Sequence, residues 1–262
     1  GRASRSRWQM TRRNSAGRYL LSDASEIRAS FVESVDAEGV ARRWHDDQVA
    51  AVLAGETPMP VVGGPMMVAT IRPLGAGAPG ATDVLDVRNA LKDLRRVLLP
   101  LTGSASVAAR PNVQGVYVGD SETSASSYVQ LYRDGSLTYV DFYPFAGDEG
   151  TVASTVLGLH ILTAAADAGD LQALIGAQPP SFMQVTIHGV FQWKLAFGRG
   201  SRPRFTDAFF TADHLRLPAV MLDTADAGER RRSTRPILDG IWNAAGLDAC
   251  DGLLDDGTWS DA

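Results

Sequence analysis

Cysteine is nearly absent: Cys250 stands alone in 262 residues, which excludes an intrachain disulfide and argues against a thiolate metal site. That usage suits a reducing compartment, so the expected location is the cytoplasm. No run approaches the eighteen apolar residues of a membrane helix; the segments around Val97–Leu101 and Val152–Ala166 are short or interrupted. No membrane partner is expected. Lysine is scarce too. Of 25 basic residues only Lys92 and Lys194 are lysine, a bias that fits a GC-rich genome. The chain opens Gly1-Arg2-Ala3-Ser4, with no methionine and no secretory signal, and reads as a piece of a longer polypeptide. What is present excludes wholesale disorder: 45% of residues are hydrophobic, enough for the core of one large domain or two small ones.

The net charge of −5 is unevenly spread. Arg2, Arg5, Arg7, Arg12, Arg13 and Arg18 open the chain with no acid among them. Arg199, Arg202 and Arg204 form a second cluster, and Arg230, Arg231, Arg232 and Arg235 a third. From Pro236 onward there are six aspartates and no base. Arginine clusters can neutralise phosphates and release counterions. The acidic end can equally pair with the basic start, and a sequence pI near 5.4 is far below the value above ~9 of dedicated nucleic-acid-binding domains.

Patterning predicts the elements. Arg7–Arg13 and Arg18–Leu21 flank Asn14-Ser15-Ala16-Gly17 as a hairpin. Ser22 or Asp23 would cap a helix carrying Ile27, Phe31 and Val32, and Asp36 a second carrying Val40, Trp44, Val52 and Leu53, stopped at Gly55. Met66–Ile71 suits a buried strand, and Asp86–Leu99 a helix. Ser127–Arg133 and Ser136–Phe142 flank Asp134-Gly135, a tight-hairpin dipeptide, and carry Tyr128, Tyr132, Tyr139 and Tyr143 as an aromatic surface. Thr151–Ala166 reads as helix, Phe182–His188 and Val190–Phe197 as strands pivoting at Gly189, and Leu215–Leu222 as a strand. Ser233 or Thr234 caps a last helix with Pro236 in its first turn and Gly246 as its stop. Strand and helix do not alternate regularly. The expected fold class is therefore α+β: a mixed, mostly antiparallel sheet with helices packed on it, preceded by a small hairpin and helical-hairpin unit. The expected division is 1–74 and 75–262.

Catalytic motifs are missing. Gly75–Gly80 lacks the lysine of a phosphate-binding loop, and no Gly-x-Ser-x-Gly elbow occurs. His45, His160, His188 and His214 lack a second histidine at helical spacing; His45 with Asp46 and Asp47, or Asp213 with His214, are the nearest to a ligand set, and His160 reads as a hydrogen-bonded core residue. Asp120, Glu122, Asp148 and Glu149 border the aromatic hairpin, but a nuclease needs acids that converge on a metal. Cys250 sits among aspartates that raise a thiol pKa. No catalytic residue, metal site or cofactor is assigned.

Five segments, in order, resemble one family: Arg13-Asn14-Ser15-Ala16-Gly17-Arg18-Tyr19 with Glu26-Ile27-Arg28; Gly55-Glu56-Thr57-Pro58-Met59-Pro60; Arg72-Pro73-Leu74; Ser127-Tyr128-Val129-Gln130-Leu131-Tyr132-Arg133-Asp134-Gly135; and Ile241-Trp242-Asn243-Ala244-Ala245-Gly246. From about Trp8 to Trp259 the chain is similar to the region that follows the core of bacterial Schlafen-related, AlbA-like DNA-binding-domain proteins. The family's acidic nuclease-type core lies upstream of this match, so its catalytic residues have no counterpart here. The resemblance implies a non-catalytic accessory or sensing module in a defence or regulatory protein. Its expected partners are nucleic acid or another protein, met through Arg5, Arg7, Arg12, Arg13, Arg18, Arg199, Arg202, Arg204, Arg230, Arg231, Arg232, Tyr128, Tyr132 and Arg133. The rival readings are a part of a metal-dependent nuclease and a homodimerisation domain.

Overall fold

The computed structural model describes residues 11–14, 17–20, 24–76, 100–102, 109–147, 150–197 and 204–260, with side chains from residue 37 onward. The helix expected over 86–99 lies outside them. The fold is α+β, with helices packed on a mostly antiparallel sheet. Strands β1 (Thr11–Asn14) and β2 (Gly17–Leu20) pair as a hairpin, with Arg13 opposite Arg18. A single helix α1 (Ala24–Leu53) follows where two had been expected. Gly39 lies within it; one interior glycine costs only ~1 kcal/mol and does not break a helix. The chain leaves α1 through Gly55 at φ +77°.

Eight strands form the main sheet: β3 (Met66–Pro73), β4 (Arg110–Pro111), β5 (Gly115–Gly119), β6 (Ser127–Tyr132), β7 (Leu137–Asp141), β9 (Ser181–His188), β12 (His214–Arg216) and β13 (Val220–Leu222). Their order is β12-β9-β3-β7-β6-β5-β4, with β13 also pairing β9. The strand expected over 215–222 is thus two short ones, separated around Pro218, which cannot donate to a ladder. Because β3 lies between β7 and β9, residues on both sides of position 74 share one sheet. The β6–β7 turn is fixed by its sequence. Asp134 accepts the Ser136 amide at 3.0 Å, and Gly135 takes the left-handed conformation at φ +82°.

Alternation gives the sheet two unlike faces. Met67, Ala69, Ile71, Leu137, Tyr139, Val185 and Ile187 face one side and pack under α2 (Ser154–Leu174). Helix α3 (Ala227–Ser233) buries Arg230, and α4 (Arg235–Ala244) extends that core with Ile237, Leu238, Ile241 and Trp242. The opposite face carries Gln184, Thr70, Thr138 and Gln130 in successive register across four strands. Helix α1 covers this polar row. No helix among the described residues is long and apolar enough to cross a membrane.

Candidate nucleic-acid interface

A second, smaller sheet stands beside the main one, built from β8 (Thr151–Ala153), β10 (Lys194–Phe197) and β11 (Arg204–Phe205) in the order β11-β10-β8. Leu195 and Val152 are register partners and fully buried, and Phe197 sits edge-on to Trp242 with centroids 6.0 Å apart. That is the inward face. Alternation then places Lys194 and Ala196 on the outward face, in register with Thr151 and Ala153, and Phe205 opposite Ala196 joins them. Phe209 lies on the same side, its ring centroid 4.5 Å from Lys194 Nζ.

Phe205 is 45% exposed, Phe209 50%, and Phe191, in the turn before β10, 53%. Their backbone is firmly held. The Thr206 amide donates to the Leu195 carbonyl at 3.0 Å, and Thr206 Oγ1 accepts from the Leu195 amide at 3.1 Å while donating to the Ala208 carbonyl. The Phe210 amide donates to the Trp193 carbonyl at 2.8 Å and its side chain is buried, so its neighbour Phe209 is turned outward. Arg204 is exposed on the edge strand. Among the described residues, no carboxylate lies within ion-pair distance of Lys194 or Arg204.

The other sequence-predicted contacts scatter. Arg5, Arg7, Arg199 and Arg202 lie outside the described residues, while Arg12, Arg13 and Arg18 are on the β1–β2 hairpin. Tyr128 and Tyr132, expected as contacts, are turned inward together with Tyr139, while Tyr143 is 51% exposed. Tyr128 is 2% exposed, and burial raises its phenol pKa. Half-buried Tyr132 donates to Gln48 Oε1 at 2.5 Å and meets Trp44 edge-on at 5.4 Å. The cause is that β6 is covered on both faces, so alternation leaves no wet side. Arg133 is exposed at the turn. Arg230, Arg231 and Arg232 do not share a surface, because successive helical residues diverge by about 100°. Arg230 is 1% exposed and donates to Gln172 Oε1 at 3.1 Å, whereas exposed Arg232 donates to the Asp256 carbonyl at 3.3 Å.

The histidines resolve individually. His45 is fully buried between the Thr70 and Thr186 hydroxyls, at 2.7 Å from Nδ1 and 2.8 Å from Nε2. Burial pulls its pKa down to about 4, with the Arg216 and His214 charges adding to the fall and Asp46 opposing it. His45 is therefore a neutral bridge between α1 and the sheet rather than a metal ligand. His160 lies 2.5 Å from the buried Asp141 carboxylate, which also accepts the Tyr143 amide, and the Tyr143 ring stacks on the imidazole at 6.1 Å. His188 and His214 face each other across β9 and β12 with Nδ1 atoms 3.4 Å apart. Among the described residues no three His, Cys, Asp or Glu side chains are grouped to hold a metal.

Of the acids bordering the aromatic hairpin, Asp148 and Glu149 lie outside the described residues, and the other two have separate partners. Asp120 accepts from the Ser126 amide at 2.9 Å and from its hydroxyl, and Glu122 pairs with Arg110 at 2.7 Å. Cys250 is buried, and burial raises its thiol pKa. Sequence reasoning missed the Asp141–His160 pair and the exposed phenylalanines. The Phe205-x-x-x-Phe209 spacing beside Arg204 was the available signal for the latter. Comparison with protein-family models, with curated proteins and with solved structures finds no match to this chain.

Proposed function

We propose that the chain is a non-catalytic accessory module of a Schlafen-related, AlbA-like protein, and that it contacts nucleic acid. One observation carries the reading: exposed Phe205 and Phe209 and the Lys194 ammonium meet at one small sheet, Arg204 is exposed on its edge strand, and no described carboxylate lies within ion-pair distance of either cation. Cations next to exposed rings suit a ligand that offers both negative charge and flat apolar surface. The order of the five sequence motifs supports the family. Asp120 and Glu122 are engaged elsewhere, so a metal-dependent nuclease is not advanced as a second reading.

Fluorescence anisotropy with labelled DNA and RNA at two salt concentrations tests the proposal. Binding that weakens with salt, with a slope of about one unit per phosphate contact, is the expected result. A flat signal at low salt removes the nucleic-acid reading and leaves protein-partner binding or dimerisation.

A further inference from the structure

Resting on that reading, we infer that the outward face of β8, β10 and β11 is a stacking platform for single-stranded nucleic acid, with Phe205 and Phe209 as its base-contacting residues. The face is low: Thr151, Ala153 and Ala196 are short side chains in register, and Phe205 stands at their edge. Two features favour bases over a second protein surface. Lys194 has its ammonium over the Phe209 ring at 4.5 Å and lies within ion-pair distance of no described carboxylate, so an apolar protein partner would have to bury its charge. A phosphodiester placed beside stacked bases would supply an anion to it. Arg204 precedes Phe205 on the edge strand, so its side chain leaves the backbone on the opposite side and can follow a phosphate chain along that edge.

The rings also decide between one strand and two. Duplex bases are already stacked and present only their edges in the grooves, so exposed phenylalanine faces gain little from them. Unpaired bases offer a free π-face of any sequence. The platform should therefore prefer single strands and discriminate weakly among sequences.

The test titrates the full chain with a labelled oligothymidine of about 15 nucleotides, a length at the upper end of single-strand sites, and with a blunt duplex of equal length. Phe205→Ala and Phe209→Ala are each expected to weaken single-strand binding roughly five- to 150-fold, with the salt slope unchanged and duplex binding unaffected. Phe205→Tyr should retain affinity, which separates lost stacking from lost folding. Lys194→Gln with Arg204→Gln should weaken both ligands and flatten the salt slope. Alanine variants that bind the single strand like the parent overturn the platform while leaving nucleic-acid contact standing. Absence of salt-sensitive binding to every oligonucleotide overturns the functional reading itself. Conversion of a dimer to monomer by Phe205→Ala, seen by sedimentation, assigns the face to a second copy and also overturns the inference.

Discussion

His45 gives the most quantitative prediction, because its burial and both of its partners are fixed by the fold. In the folded chain the ring is neutral, held between Thr70 and Thr186, with its pKa pulled down to about 4 from an ordinary 6.5. The unfolded chain therefore binds more protons than the folded one between those values, and stability falls as pH drops. The contribution is fully present above about pH 6.5 and lost on the way to pH 4. Linkage with those two values gives a loss of about 2 kcal/mol between pH 7 and pH 5, and of ~3 kcal/mol by pH 4. Asp167 acts in the opposite sense. Burial, reinforced by the neighbouring Asp170 charge, raises its pKa to about 6, so its folded form gains protons over the same interval. It is half-buried, and after solvent screening its offset is below about 1 kcal/mol. Urea unfolding at pH 7 and pH 5 of the parent and of His45→Gln isolates the histidine. The variant should be about 1–2 kcal/mol less stable at pH 7, through imperfect replacement of two hydrogen bonds. That gap should close by about 2 kcal/mol at pH 5. Parallel pH dependences for the two proteins would refute the neutral-bridge account.

Four further outcomes follow from packing. Gly158→Ala should destabilise despite the better helix propensity of alanine, because a Cβ there would lie 2.1 Å from the Trp259 ring; a lower melting temperature with altered tryptophan fluorescence is expected. Gln172→Leu should cost about 2–4 kcal/mol in denaturant unfolding, since Gln172 serves Arg230, Ser181 and the Gly135 carbonyl at once. Arg230→Met should be near neutral in the same assay, as Arg230 buries an unpartnered Nε and has no carboxylate in ion-pair range among the described residues. Asp141→Ala strips His160 of its buried partner and should cost about 1–3 kcal/mol, read as a shift of the urea midpoint.

Where a single local rule governs, the sequence foretold the structure. Asp134-Gly135 dictates its turn because the aspartate oxygen and the left-handed glycine are both local, and the Gly189 pivot holds because a Cβ there would meet Pro65 at 2.9 Å. Met66–Ile71 was recognisable as a buried strand from its unbroken apolar run. The single α1 was not, because Asp36 and Gly39 resemble a cap and a break that the surrounding helix overrides. Tyrosine orientation was illegible for another reason: alternation shows two faces of β6 but not that α1 covers the polar one. The Asp141–His160 pair joins a strand end to a helix 19 residues on, beyond any local pattern. The phenylalanine platform depends on the β10–β11 register, and the strand predicted over 190–197 came with no partner from which to infer it.

Ultraviolet cross-linking of the chain to a thymine-rich single strand, with peptide mapping by mass spectrometry, bears most directly on the proposed nucleic-acid contact. Adducts confined to peptides spanning residues 191–210, and lost at high salt, are the predicted result. Adducts only on the β1–β2 hairpin, or none under conditions where a known single-strand binder labels well, would contradict it.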